Sequence, residues 1–247
     1  MAHSEQRVII IGASTGIGRA LALDFARAGF SVGITARRAD LLQTLAEEIN
    51  TQGGKAFVQA MDIAQTQESI RLLEELLEQM NGADIIVLNA AIGENSDTLD
   101  WEKEERTIGV NVSGFTALAT VAMHHFLNRR KGHLVGISSI AGERGNRIAP
   151  AYAASKAYMS NYLQGLRNYA VKNDAHITIT DIKPGFVKTP MTAKNDRMFW
   201  AASAEKAARQ IFMAIHQKRH HAYITKRWRM VAWLLRRVPD WLYNRIV

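Results

Sequence analysis

The chain of 247 residues contains no cysteine. Disulfides and thiolate-ligated zinc are thereby excluded, any chemistry must use other groups, and the absence suits a reducing cytoplasm. Also missing is any run of about 18 uncharged apolar residues, so no transmembrane span is expected. The N-terminal stretch does not read as a signal peptide, and there is no repeat, low-complexity segment or internal linker. Acidic residues are nearly lacking at the other end. Lys218 to Val247 holds eight Lys or Arg against Asp240 alone, so +7 of the net charge of +8 lies there. Such a balance raises nucleic acid or an anionic membrane as partners. No nucleic-acid motif accompanies the charge, and no nucleic-acid partner is expected. What remains, 47% hydrophobic and 22% charged residues, suits one globular α/β domain with a sizeable core.

The chemistry is expected around Val135 to Lys156. Val135, Gly136 and Ile137 alternate like a strand that stops at Ser138 and Ser139, and Pro150 is placed to open a helix. Tyr152 and Lys156 then share one face of that helix. A tyrosine titrates near about pH 10 and is a poor acid or base at neutrality until a nearby cation stabilises its phenolate. Lys156 is placed to be that cation.

Along the chain, Arg7 to Ile11 reads as a strand, Gly12-Ala-Ser14-Thr-Gly16-Ile17-Gly18 as a turn, and the residues after it as a helix. A turn of this kind lets backbone approach a pyrophosphate, and the following helix N-terminus favours an anion. Ser31 to Thr35 is a second strand, followed by Ala36, Arg37 and Arg38. Ala56 to Met61 is a third, with Asp62-Ile63 directly after it. Asp84 to Leu88 is a fourth, ending at Asn89-Ala90-Ala91. A long helix is predicted from about Trp101 to Arg130; asparagine is a poor mid-helix residue, so Asn111 inside it marks a functional post. His176 to Ile182 is another strand, running into Lys183-Pro184-Gly185-Phe186-Val187-Lys188-Thr189-Pro190. Ala204 to His216 is a helix and Ala222 to Thr225 the last strand. Alternating strands and helices imply a doubly wound parallel sheet with ligand at the strands' C-terminal edge. The pairs His124-His125 and His220-His221 have no metal-binding motif around them, and no metal site is expected.

The glycine turn, Asn89-Ala-Ala, Asn111, Ser139 and Tyr152-x-x-x-Lys156 together resemble the short-chain dehydrogenase/reductase family over Val8 to about Thr225. The resemblance implies a Rossmann-type domain over residues 1–225, with 226–247 as an extension of it, and a cytoplasmic homo-oligomer, dimer or tetramer. It implies an oxidoreductase moving hydride between a nicotinamide and a small carbonyl or alcohol substrate. Tyr152 would transfer the proton, Ser139 orient the substrate oxygen, Lys156 stabilise the phenolate and Asn111 hold a water. Gly12, Ser14, Gly16, Ile17 and Gly18 would cradle the cofactor's pyrophosphate; Asp62 and Ile63 would meet its adenine; Asn89 and Ala90 would lie along it. Tyr152 and Lys156 would reach the nicotinamide ribose, while Pro184, Gly185, Val187 and Thr189 would hold the carboxamide. Arg37 and Arg38 stand where an acidic residue would select NAD, which points to NADP(H). Three positions depart from the pattern: Ile11 and Thr15 replace a threonine and a basic residue of the turn, and Ala91 replaces a glycine. The alternative from another class is a catalytically silent NADP(H)-binding regulator, which would not need the four catalytic residues this chain retains.

Two segments fall outside the motifs. Met191 to Ala202 is expected to cover the pocket, with Met191, Met198, Phe199 and Trp200 as apolar substrate contacts or as packing. The tail is expected to be one amphipathic helix, with Trp228, Val231, Leu234, Leu235 and Val238 on one face and Arg229, Arg236, Arg237 and Trp233 opposite. Its apolar face would either lie weakly on an anionic membrane or cover the pocket or a neighbouring subunit. With the membrane reading goes an expected preference for apolar carbonyl substrates.

Overall fold

A computed structural model describes residues 5–96, 98–193 and 198–246. In chain order its elements are β1 (Arg7–Ile11), α1 (Gly16–Arg27), β2 (Ser31–Ala36), α2 (Ala39–Thr51), β3 (Lys55–Ala60), α3 (Thr66–Gln79), β4 (Ile85–Leu88), α4 (Trp101–Ile108), α5 (Phe115–Arg129), β5 (Lys131–Ile137), α6 (Pro150–Lys172), β6 (His176–Pro184), β7 (Val187–Lys188), β8 (Ala202–Ser203), α7 (Ala204–His216), β9 (His221–Ile224), α8 (Trp228–Leu235) and α9 (Asp240–Ile246). Successive side chains of a strand point to opposite faces. In β1, Val8 and Ile10 accordingly join one buried cluster and Ile9 and Ile11 the other. A strand that is apolar on both faces needs cover on both. Helices α1, α2 and α7 supply it on one side, and α3, α5 and α6 on the other.

The main sheet has seven strands in the order β3-β2-β1-β4-β5-β6-β9, every pairing parallel. The order reverses between β1 and β4. At such a switch point the loops leaving the two strands diverge, and a crevice opens beyond their C-terminal ends. The expected doubly wound sheet is therefore present, with its strands within a residue or two of where periodicity put them except β5, which begins at Lys131, four residues before Val135.

Two segments differ from expectation. The stretch from Trp101 to Arg130 is α4 and α5 joined by a π turn at Gly109–Gly114, which contains Asn111. A π turn carries one more residue than an α turn and turns a side chain away from the regular helix register. Tertiary contacts hold it: a Cβ on Gly114 would lie 2.3 Å from the Ile63 carbonyl oxygen. The tail is two helices, because Pro239 between them lacks an N–H and disfavours helix in the residue before it. In α8, Trp228 and Ala232 are buried whereas Leu234, expected on the same face, is exposed. Among the described residues no helix is long and apolar enough to cross a membrane.

Candidate active site

The crevice begins at the glycine turn after β1. Gly12 has φ +90°, and a Cβ there would lie 2.7 Å from the Ala90 backbone, so the turn rests directly on the end of β4. Asn89 fixes it by donating from Nδ2 to the Gly12 carbonyl at 2.7 Å. Thr15 caps α1 without a side-chain hydrogen bond, and the first turn of α1 has no acidic residue. Its leading N–H groups and positive dipole end thus favour a phosphate.

From this turn a cavity of about 680 Å³ runs across the strand ends. Gly12, Ser14, Gly16, Ile17, Arg37, Arg38, Asp62, Ile63, Asn89 and Ala90 line one part of it. Ser139, Tyr152, Lys156, Pro184, Gly185, Val187 and Thr189 line the other. Gly18 does not: it backs the turn, where a Cβ would sit 2.1 Å from the Gly12 carbonyl oxygen. At the far end Arg38 donates to Ser14 at 3.0 Å and to Thr15 at 3.2 Å. Its guanidinium thus lies beside the turn position that lacks a basic residue. Asp62 accepts from the Ala64 N–H at 3.1 Å, so it closes a turn as well as lining the cavity.

At the other end, Pro150 opens α6 and brings Tyr152 and Lys156 inward. The Ser139 hydroxyl accepts from the Ala141 N–H at 3.1 Å and donates to the Pro184 carbonyl at 3.4 Å; it lines the same cavity as Tyr152. Lys156 is 2% exposed and donates from Nζ to the Ile137 carbonyl at 3.0 Å; Nζ lies 5.6 Å from the Tyr152 ring centre. Burial pushes the lysine down to about 7, against an upward pull from Asp181. Burial likewise pushes the Tyr152 hydroxyl up, against a smaller downward influence of Ser139. Loss of solvent thus dominates the ionisation of both groups. A negative charge brought beside Lys156 raises it again.

A family model described as short chain dehydrogenase matches residues 6–199. The chain is a short-chain dehydrogenase. An oxidoreductase of uncharacterised activity from Myxococcus xanthus is 35% identical over 195 residues, 78% of this chain and 76% of that one. The 3-oxoacyl-[acyl-carrier-protein] reductase FabG of Aquifex aeolicus is 31% identical over 192 residues, 75% of each chain. A short-chain dehydrogenase from Sphingobium yanoikuyae in complex with NADPH superposes with a TM-score of 0.82 at 21% identity, covering 95% of this chain and 97% of that one. One from Burkholderia phymatum in complex with NAD gives 0.84 at 19% identity, covering 93% and 92%. This short-chain dehydrogenase is therefore a nicotinamide-dependent oxidoreductase acting between CH–OH and C=O. The glycine turn, the open helix N-terminus and the cavity fit a dinucleotide.

Three further features of the dehydrogenase site were not legible in its motifs. Asn111 is wholly buried and outside the cavity lining; Oδ1 accepts from the Ile92 N–H at 2.9 Å, and Nδ2 donates to the Ile92 carbonyl at 2.8 Å and to Ser155 at 3.0 Å. Ser155 in turn donates to the Tyr152 carbonyl at 2.8 Å. This amide thus braces the turn bearing Tyr152. Glu143 ends the 3₁₀ turn Ile140–Glu143 that Ser139 caps. It pairs with Lys183 at 2.9 Å, with Arg236 just after α8 at 2.5 Å, and accepts from Tyr223 at 3.4 Å. Burial alone would raise its carboxyl, yet bonds from Arg236 and Lys183 outweigh this and hold it below the usual carboxylate range. A lysine ending an apolar strand hints at a buried partner, but nothing in the sequence points forty positions back to Glu143. Finally, Met191 and Thr192 line the cavity, while residues 194–197 of the expected cover lie outside the described residues.

Proposed function

We propose that the protein is an NADP(H)-dependent carbonyl reductase or alcohol dehydrogenase for an apolar substrate, with Ser139, Tyr152, Lys156 and Asn111 as its working residues. The observation that carries this reading is that Ser139, Tyr152 and Lys156 line one cavity, with Tyr152 and Lys156 one turn apart on α6. When bound, the nicotinamide supplies the hydride that passes between its C4 and the carbonyl carbon. Tyr152 gives its proton to the substrate oxygen during reduction and takes it back during oxidation. Ser139 orients that oxygen, Lys156 as a cation steadies the phenolate, and Asn111 positions the Tyr152 turn through Ser155. NADP(H) preference is supported by Arg37 and Arg38 at the end of β2, the second held by Ser14 and Thr15. Charge-assisted bonds to a 2′-phosphate contribute about 1.5–3 kcal/mol each.

An apolar substrate is supported by Met191 on the cavity wall and by the aromatic cluster of Phe186, Phe199 and Trp228 beside it. Residues 226–247 are an extension of the domain formed by 1–225, packed against it through Trp228, and they make weak, salt-sensitive contact with anionic membrane. The enzyme is a cytoplasmic or peripherally bound homo-oligomer, supported by Leu99, Trp101 and Ile108, which are large, apolar and exposed around α4. The test is Tyr152→Phe, assayed with NADPH and NADH by nicotinamide fluorescence and with a panel of ketones, aldehydes and alcohols. The variant keeps NADPH binding, at least about tenfold tighter than NADH, and loses nearly all turnover. Substantial residual turnover defeats the role of Tyr152, and equal affinities defeat the NADP(H) preference.

A further inference from the structure

The tail hairpin uses one face on its own chain and leaves another outward. Inward, Trp228 lies against Gly185 of the cavity wall, where an added Cβ would sit 2.1 Å from the indole. Arg144 donates to the Leu235 carbonyl at 3.1 Å and also bonds the Val238 carbonyl and Asp240, while Tyr243 donates to the Gly145 carbonyl at 2.7 Å. This docking buries Trp228 of the face expected to be apolar but leaves Leu234 of it outside. Exposed beside Leu234, at 55%, are Met230 at 75%, Trp233 at 57% and Trp241 at 64%. Guanidinium groups stand over both tryptophans, Arg237 at 4.2 Å from the Trp233 ring and Arg245 at 5.7 Å from the Trp241 ring.

Charge decides what can cover this face. Lys226 to Ile246 carries six basic residues against Asp240 alone. A second copy of the same face would bring like charges together, which opposes self-association. The remainder of the chain, at a net +3, has no matching acidic excess. An anionic bilayer satisfies both components: headgroups meet the arginines, and the indoles enter the interface. The face also continues to the cavity. Arg227 donates to the Trp200 carbonyl at 2.8 Å with its guanidinium 4.9 Å from the Trp200 ring, and Trp200 is half exposed, as is Met191 on the cavity wall.

We propose that Met230, Trp233, Leu234 and Trp241, with their arginines, seat the protein on an anionic bilayer with the cavity mouth at the lipid boundary. Its substrate is then a lipophilic carbonyl or alcohol that partitions into membrane and enters the cavity past Met191 and Trp200. The substrate part rests on the oxidoreductase reading above; the docking part does not. The test uses the full chain and the double variant Trp233→Ser/Trp241→Ser, both side chains being exposed and remote from the cavity wall.

Two readouts separate the parts. Cosedimentation compares phosphatidylglycerol/phosphatidylcholine vesicles with phosphatidylcholine alone at low and high salt. Turnover with NADPH compares a short water-soluble ketone with hexadecanal presented in the anionic vesicles. We expect the wild-type chain to pellet with anionic vesicles only, to be released by salt, and the double variant to bind about tenfold more weakly. Its turnover of the short ketone stays unchanged, and its turnover of vesicle-borne hexadecanal falls by a similar factor. Equal pelleting of the two proteins overturns the docking face, as does wild-type protein that self-associates and ignores vesicles. Normal docking with equal use of hexadecanal by both proteins overturns the substrate part alone. Docking without turnover of any carbonyl overturns the substrate part together with the oxidoreductase roles.

Discussion

Lys156 is a buried amine whose environment favours its neutral form, and that has a consequence for stability. Its pKa is about 7 in the folded protein against about 10.4 in an unfolded chain. Between those values the unfolded state binds more protons, so stability rises with pH across the window from about 7 to 10. Below it the protein bears the full cost of a buried cation, several kcal/mol at about 1.4 kcal/mol for each tenfold change in proton affinity. Lys156→Met removes that cost while keeping most of the stem's packing. In the absence of nucleotide the variant is expected to unfold at higher denaturant than wild type at pH 6, with the gap shrinking towards pH 10. A gap that does not depend on pH would show that Lys156 is not the group responsible. That Lys156 sits four residues after Tyr152 was legible in the sequence. Its depressed pKa was not, because burial is a property of everything packed around it.

Elements add what residues cannot. The 3₁₀ turn beginning at Ser139, the end of β6, β9 and α8 meet at Glu143, whose side chain is 4% exposed beside Lys183 at 9%. Removing one partner of a buried pair leaves the other unpaired and costs about 3–5 kcal/mol. Arg236 is 54% exposed, and such a surface partner contributes under about 1 kcal/mol. Chemical denaturation of Glu143→Gln and Arg236→Met should therefore separate the two. The first is expected to lose several kcal/mol and the second little. Because the Glu143 carboxyl is depressed in the folded state, its contribution is present above the ordinary carboxylate pKa and lost as pH falls through the folded value. The difference between Glu143→Gln and wild type should shrink in acid accordingly. Helix and strand positions were readable from periodicity, since the core faces repeat every 3.6 or 2 residues. The π turn at Asn111 depends on where Ile63 lies, which periodicity does not encode, whereas the break at Pro239 is a local effect of the proline itself.

For the molecule as a whole, a second group of exposed apolar side chains lies apart in the chain from the basic tail. Trp101 is 66% and Leu99 71% exposed near α4, away from the arginine-rich tail. Apolar side chains of that size mark a contact surface when they cluster, and without the tail's charge excess they can meet a second copy. Light scattering of the full chain is expected to give two or four times the chain's mass, and Trp101→Arg to shift it towards one. A monomeric wild-type protein would remove the oligomer from the proposal and leave the active site untouched.

The sequence by itself determined the alternating strands and helices, and with them the parallel sheet and the crevice at its C-terminal edge. These follow from local patterns of apolar residues and from glycines at a turn with positive φ. Family membership, and with it the reaction class, was legible through Gly12 to Gly18, Ser139, Tyr152 and Lys156. Tertiary structure alone decided how those groups are tuned and what surrounds them. It buried Lys156, turned the Asn111 amide onto Ile92 and Ser155, and set Glu143 against Lys183. It also chose which face of the tail packs and which remains outside. The reason is common to all four: desolvation, long-range pairing and burial depend on residues brought together from distant parts of the chain.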